Sequence, residues 1–119
     1  MATARPSAQI TSIEGSPEVY EFAKKTLKKK GLKNVSFVKS TFKEFFEKQI
    51  SKPVIYDLIY IDGHHDGEAT LSYFENILDK IHNDTVVVFD DIYWSKDMTR
   101  AWNQICKHTQ VTASIDCFD

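Results

Sequence analysis

The order of apolar segments constrains this chain more than any other feature. Short strand-like runs alternate with stretches of helical periodicity along its whole length. Ala8 to Glu14 (AQITSIE), Asn34 to Lys39 (NVSFVK), Tyr56 to Asp62 (YDLIYID), Thr85 to Asp90 (TVVVFD) and Ala113 to Phe118 (ASIDCF) each read as a strand. Ser16-Pro17 opens a first helix, with serine as N-cap and proline where its missing N–H costs nothing. Val19, Phe22, Ala23, Thr26 and Leu27 share one face of it, and Gly31 ends it in a left-handed turn. Phe42, Phe45, Phe46 and Ile50 mark a short second helix, broken at Pro53. Leu71, Phe74, Ile77, Leu78 and Ile81 predict a third over Glu68 to Ile81. Ser95 caps a fourth, with Met98, Ala101, Trp102 and Ile105 on its apolar face. Five strands interleaved with four helices predict an α/β fold with a mostly parallel sheet.

At 119 residues the chain has room for one domain and not two. Apolar residues make up 42% of it, enough to build a core rather than leave the chain disordered. Its net charge of −2 gives no basic field for nucleic acid. No apolar run approaches membrane-spanning length and no secretory leader is visible, so a cytoplasmic location is expected. Cys106 and Cys117 have no metal-binding or disulfide spacing and are expected as reduced, partly buried thiols. Lys24, Lys25, Lys28, Lys29 and Lys30 form the solvated face and last turn of one helix, where positive charge suits the dipole.

In open α/β sheets, ligands sit beyond the carboxyl ends of the strands. The first strand ends in Glu14-Gly15 and the second in Ser40-Thr41-Phe42. The third ends in Asp62-Gly63-His64-His65-Asp66 and the fourth in Asp90-Asp91. Polar and acidic groups thus follow four successive apolar strands onto one rim.

ITSIEGSPE, YDLIYIDGHHDGE and DTVVVFDDIYW, in that order and spacing, resemble the middle of class I S-adenosylmethionine-dependent methyltransferases, closest to the small-molecule O-methyltransferase branch. The resemblance implies a Rossmann-like sheet and a truncated class I methyltransferase fold in a single partial domain over residues 1–119. It implies S-adenosylmethionine as cofactor and a small-molecule hydroxyl as acceptor. Glu14 falls where the family binds the ribose hydroxyls, and a carboxylate suits that task because each oxygen can accept one of them. Gly15 follows it, and Thr41 and Phe42 fall where the family contacts adenine. Asp62 and His64 fall in the loop bordering the methionine end and the acceptor, which gives them a catalytic role. Asp62 is also a cofactor contact. Metal-dependent members hold a divalent cation at the places of Asp62, Asp90 and Asp91, a set of oxygens that suits Mg²⁺. Asp90-Asp91 can equally cap the following turn, and His64 or His65 can act as a general base or be a plain solvated loop residue.

The sequence departs from the family at the cofactor grip. Gly15, Gly31, Gly63 and Gly67 include no G-x-G pair, and MATARPSAQ is too short to supply a strand, a glycine loop and a helix. It reads as the tail of the family's first helix. The family's first strand lies between its second and fourth, and its seventh between its fifth and sixth, so both missing strands are interior. Open edges on apolar strands would then favour local repacking or self-association. The chain is expected to be a fragment of a longer enzyme. The alternative is a non-catalytic binding or assembly module derived from the same fold. A phosphorylation-receiver reading of YDLIYID fits less well, because the acidic pair follows Asp62 in sequence instead of preceding it.

Overall fold

The computed structural model describes residues 1–49 and 54–117. Ile50, Pro53 and Phe118, expected in the second helix, its break and the last strand, lie outside the described residues. The chain falls into two compact units, Met1–Lys52 and Pro53–Asp119. Each contains a two-stranded parallel sheet, so the fold is α/β with parallel strand pairs, as expected.

The first unit runs β1 (Ile10–Glu14), α1 (Pro17–Lys29), β2 (Val35–Lys39) and α2 (Phe42–Gln49). β1 and β2 pair in register from Ile10–Val35 to Glu14–Lys39. The ladder runs on to the rim through the Ser40 amide, which donates to the Glu14 carbonyl at 3.0 Å. Ser16 caps α1 by accepting from the Val19 amide, with Pro17 in the first turn. Gly31 follows the helix at φ +65°, a conformation that glycine adopts without Cβ strain. At the entrance to β1, the Asn34 side-chain amide reaches the carbonyls of Ala2, Arg5 and Ala8. This ties the N-terminal turns to the start of β2.

α1 sits on its sheet differently from the expected face. Tyr20 stacks on Phe37 at 4.9 Å, and Ala23, Thr26 and Leu27 are half-buried. Val19 and Phe22 point outward, Phe22 with 73% of its surface exposed. The aromatic stack, with Lys24 lying over the outer side of Tyr20, turns the helix about its axis. In α2, Phe45 is buried and packs edge-on to Phe46.

The second unit runs β3 (Tyr56–Ile61), α3 (Gly67–Ile77), a 3-10 turn (Leu78–Lys80), β4 (Ile81–Phe89) and α4 (Lys96–Ile105). Leu58 to Ile61 pair with Val86 to Phe89, with an irregularity after the Tyr56–Ile81 pair. Asp66 and Ser95 cap α3 and α4. The two helices cover one face of this sheet and form its core with Ile61, Phe74, Ile77, Met98, Ala101 and Ile105, all buried. Their N-termini meet at Gly67, where a Cβ would lie 2.7 Å from the Asp97 carbonyl oxygen. The Gly67 amide donates to the Asp97 carboxylate at 2.8 Å. The opposite sheet face carries Leu58, Tyr60, Val86 and Val88, which are exposed. Among the described residues no helix is long and apolar enough to cross a membrane.

Three expectations change. The third helix stops at Ile77, and Ile81 begins β4, because it pairs with Tyr56 instead of extending the helical stripe. Residues 113–117 form no strand. A strand needs a neighbour's ladder, and among the described residues none pairs with this segment. Cys117 is exposed, and only Cys106 is partly covered.

Candidate active site

In the first unit the rim residues are held by local capping. Glu14 accepts from the Ser16 amide at 2.7 Å, which uses one of the roughly four acceptor positions of a carboxylate. A Cβ on Gly15 would meet the Ser40 carbonyl at 3.7 Å, an ordinary contact. Gly15 is therefore not forced to be glycine by its protein neighbours. Thr41 and Glu44 form a reciprocal capping box: the Glu44 amide donates to Thr41 Oγ1 and the Thr41 amide to Glu44 Oε2, both at 3.2 Å. The Thr41 backbone N–H is the main cause that holds the Glu44 carboxyl below its ordinary range. Phe42 begins α2 and is half-buried.

In the second unit, the ends of β3 and β4 bring together Asp62, His65 and Asp91. One ligand atom from each lies within 4.8 Å of the others, and all three residues are exposed. His65 Nε2 is 2.9 Å from Asp91 Oδ2 and 4.0 Å from Asp62 Oδ1. The His65 ring also lies on Trp94, with centroids 4.7 Å apart and planes tilted by 33°. Asp91 has φ +52°, a left-handed conformation in which Asp is enriched among non-glycine residues. Its carbonyl accepts from the Trp94 amide at 2.9 Å, closing the turn that sets Trp94 beside His65.

Asp90 turns elsewhere. The Tyr60 hydroxyl donates to Asp90 Oδ2, and the Asp91 amide donates to Asp90 Oδ1. The phenol is the main cause holding the Asp90 carboxyl below its usual range, with the Asp91 amide adding to it. In return the Tyr60 phenol is pushed up to about 12, chiefly by that hydrogen bond, then by burial and the charges of Asp90, Asp62 and Asp91. The register explains the split. Tyr60 lies opposite Val88, so Asp90 is its diagonal neighbour on the same face. Asp91 lies beyond the end of β4, and its left-handed turn carries its carboxylate to His65 instead.

Of the residues singled out in sequence, Asp62 and Asp91 are brought together, whereas Asp90 is engaged by Tyr60. His64 is exposed and lines a cavity of about 10 Å³ with Thr70, Tyr73 and Met98, room for at most one water. Asp66 caps α3 through the Ala69 amide. Tyr60 and Trp94 were not singled out. The sequence left the histidine open between His64 and His65, and the structure brings His65 to the cluster. The Tyr60–Asp90 contact spans 30 positions and leaves no local trace.

The site lies at the carboxyl ends of parallel strands, where α/β folds place their ligands. A family model described as a methyltransferase domain matches residues 1–92. The chain belongs to the methyltransferase domain family. No curated protein matches it. Glu14, Thr41, Asp62, His65, Asp90 and Asp91 all fall within the stretch matched to the methyltransferase domain, and α4 follows it.

The cluster can be tested for fit to a cation. Bonds of about 2.1 Å put neighbouring ligand atoms roughly 3 to 4 Å apart, and the 2.9 and 4.0 Å separations match. Two carboxylates with one imidazole suit a first-row transition ion better than Mg²⁺, which favours oxygen alone.

Proposed function

We propose that this methyltransferase domain transfers a methyl group from S-adenosylmethionine to a hydroxyl of a small molecule. The observation that carries the reading is the Asp62–His65–Asp91 cluster at the strand ends of a methyltransferase domain. S-adenosylmethionine, when bound, supplies the electrophilic methyl group. Glu14, at the end of β1, would accept the ribose hydroxyls, and Gly15, Thr41 and Phe42 would border the adenine.

His65, rather than its neighbour His64, takes the acceptor proton in this reading. With the Nε2 N–H donating a hydrogen bond to Asp91, the Nδ1 lone pair is left for the hydroxyl, and Asp91 stabilises the imidazolium that results. Asp62, whose Oδ1 lies 4.0 Å from the same Nε2, would add to the negative charge that stabilises this imidazolium. A second reading rests on the ligand spacing: Asp62, His65 and Asp91 would hold a divalent cation, which would lower the pKa of the hydroxyl. Manganese and magnesium then become the informative pair to compare.

The alternative reading is a non-catalytic assembly module built on the same fold.

The deciding experiment is calorimetric titration with S-adenosylhomocysteine, alone and with Mn²⁺ or Mg²⁺, followed by methyl transfer to phenolic acceptors. Binding is expected, with loss on Glu14→Ala. Transfer is expected to fall about 10²- to 10⁴-fold on His65→Ala, the usual share of a general base. A folded chain that binds no S-adenosylhomocysteine would leave the assembly-module reading in its place.

A further inference from the structure

Beyond α4 the chain turns back as residues 111–117, which form neither helix nor strand. The Asp116 side chain ties this segment down. Asp116 Oδ1 accepts from the Trp102 indole N–H and Oδ2 from the Tyr93 hydroxyl, each at 2.8 Å. The Asp116 hydrogen bond is the main cause that pushes the Tyr93 phenol up. A single carboxylate thus joins the loop after β4 to the middle of α4, and both of its oxygens are used.

Tyr93 is followed by Trp94, which is 66% exposed. A lone exposed apolar residue normally needs no explanation, but this one is fixed. Its ring rests on His65, its amide is bonded to Asp91, and its neighbour is tied to Asp116. An aromatic face held still in solvent beside a reactive cluster has already lost the freedom that binding would otherwise cost. Tyr93, Trp94 and Asp116 all lie beyond the stretch matched by the family.

We propose that Asp116 is a positioning residue: it pins the Tyr93–Trp94 loop so that Trp94 forms the wall on which a flat-ringed, hydroxyl-bearing acceptor stacks beside His65. The inference rests on the methyl-transfer reading of the same site and adds the substrate class. An indole face discriminates by shape: a planar ring makes full contact with it, and a puckered ring of the same size does not.

The test compares phenol with cyclohexanol, which carries the same hydroxyl on a puckered ring. Each is titrated into the full chain while the indole N–H resonances of its two tryptophans are followed by NMR. Phenol is expected to shift the Trp94 resonance saturably and to bind roughly three- to tenfold more tightly than cyclohexanol, the equivalent of one aromatic pair. Trp94→Ala removes that preference. Tyr93→Phe, which deletes only the hydroxyl, weakens it without moving the Trp102 resonance. Asp116→Asn weakens it and moves the Trp102 resonance as well.

Equal binding of the two ligands overturns the proposal. So does a preference that survives Trp94→Ala or Tyr93→Phe in a protein whose circular dichroism is unchanged. The titrations are run without cofactor. Stacking that persists in a chain unable to bind S-adenosylhomocysteine would therefore leave the wall standing and remove only the methyl-transfer reading.

Discussion

The two strand–helix–strand units share one plan and differ in how well they exclude water. In β1–α1–β2 no residue of the helix is buried, and Val19 and Phe22 face solvent. In β3–α3–β4 the helix buries Gly67, Thr70, Phe74 and Ile77, because α4 lies beside it and closes the layer with Met98, Ala101 and Ile105. One helix on a pair of strands covers only a stripe of the sheet, and a two-stranded element has little stability of its own. A second helix against the first turns that stripe into a closed apolar layer. The lesson is that the second unit builds its candidate site on a packed floor, whereas the first holds its rim residues mainly by caps.

The largest effect should come from removing the floor. Ile77 is 1% exposed, and Ile77→Ala should cost about 2–5 kcal/mol. Amide hydrogen exchange should then accelerate through β3, α3 and β4. Phe22→Ala, on the solvent-facing side of α1, should change stability by no more than about 0.5 kcal/mol. Equal losses from the two variants would break the comparison.

A smaller loss, roughly 1–3 kcal/mol, is expected for Gly67→Ala, since the new methyl would force the Asp97 backbone and α4 outward. A melting temperature equal to that of wild type would mean that the two helices are not locked at that contact.

The smallest effect is a titration. Asp90 has a lowered carboxyl pKa. It therefore contributes stability above the ordinary carboxylate value of about 4, and this is lost as pH falls through the lowered value. Tyr60 runs the opposite way. Its contribution is complete below the ordinary phenol value of about 10 and is lost as pH rises through about 12. The second unit should thus soften at both extremes. In the first unit the lowered carboxyl of Glu44 acts on the acid side alone. Asp90→Asn should bring the tyrosinate absorbance of Tyr60 back toward about 10. A titration that stays near 12 would assign the shift to burial and nearby charge instead of the hydrogen bond.

Local chemistry was the legible part of this fold. Ser16-Pro17, Gly31 and Ser95 mark their boundaries because capping and left-handed turns depend on the residues in place. Which face a helix buries depends on what lies opposite, so Phe22 reads as core in sequence and sits in solvent. Ile81 is apolar enough for a helix stripe or a strand, and only its pairing with Tyr56 decides between them. Ala113 to Phe118 has strand composition, yet residues 113–117 lack a ladder to join. At the candidate site, Asp62 and Asp91 were visible as acids after apolar strands. The division between Asp90 and Asp91, and between His64 and His65, was not, since it follows from sheet register and the turn of one loop.

The Tyr60–Asp90 hydrogen bond has an evolutionary consequence. Because the phenol engages the first aspartate of the doublet, the two positions should vary together across related chains. A relative with phenylalanine in place of Tyr60 would release its first aspartate toward solvent, and the free carboxylate could then take over duties that fall here to the second. Aligning such sequences on the doublet alone would confuse the two roles by one residue, and the partner on the neighbouring strand is the surer landmark.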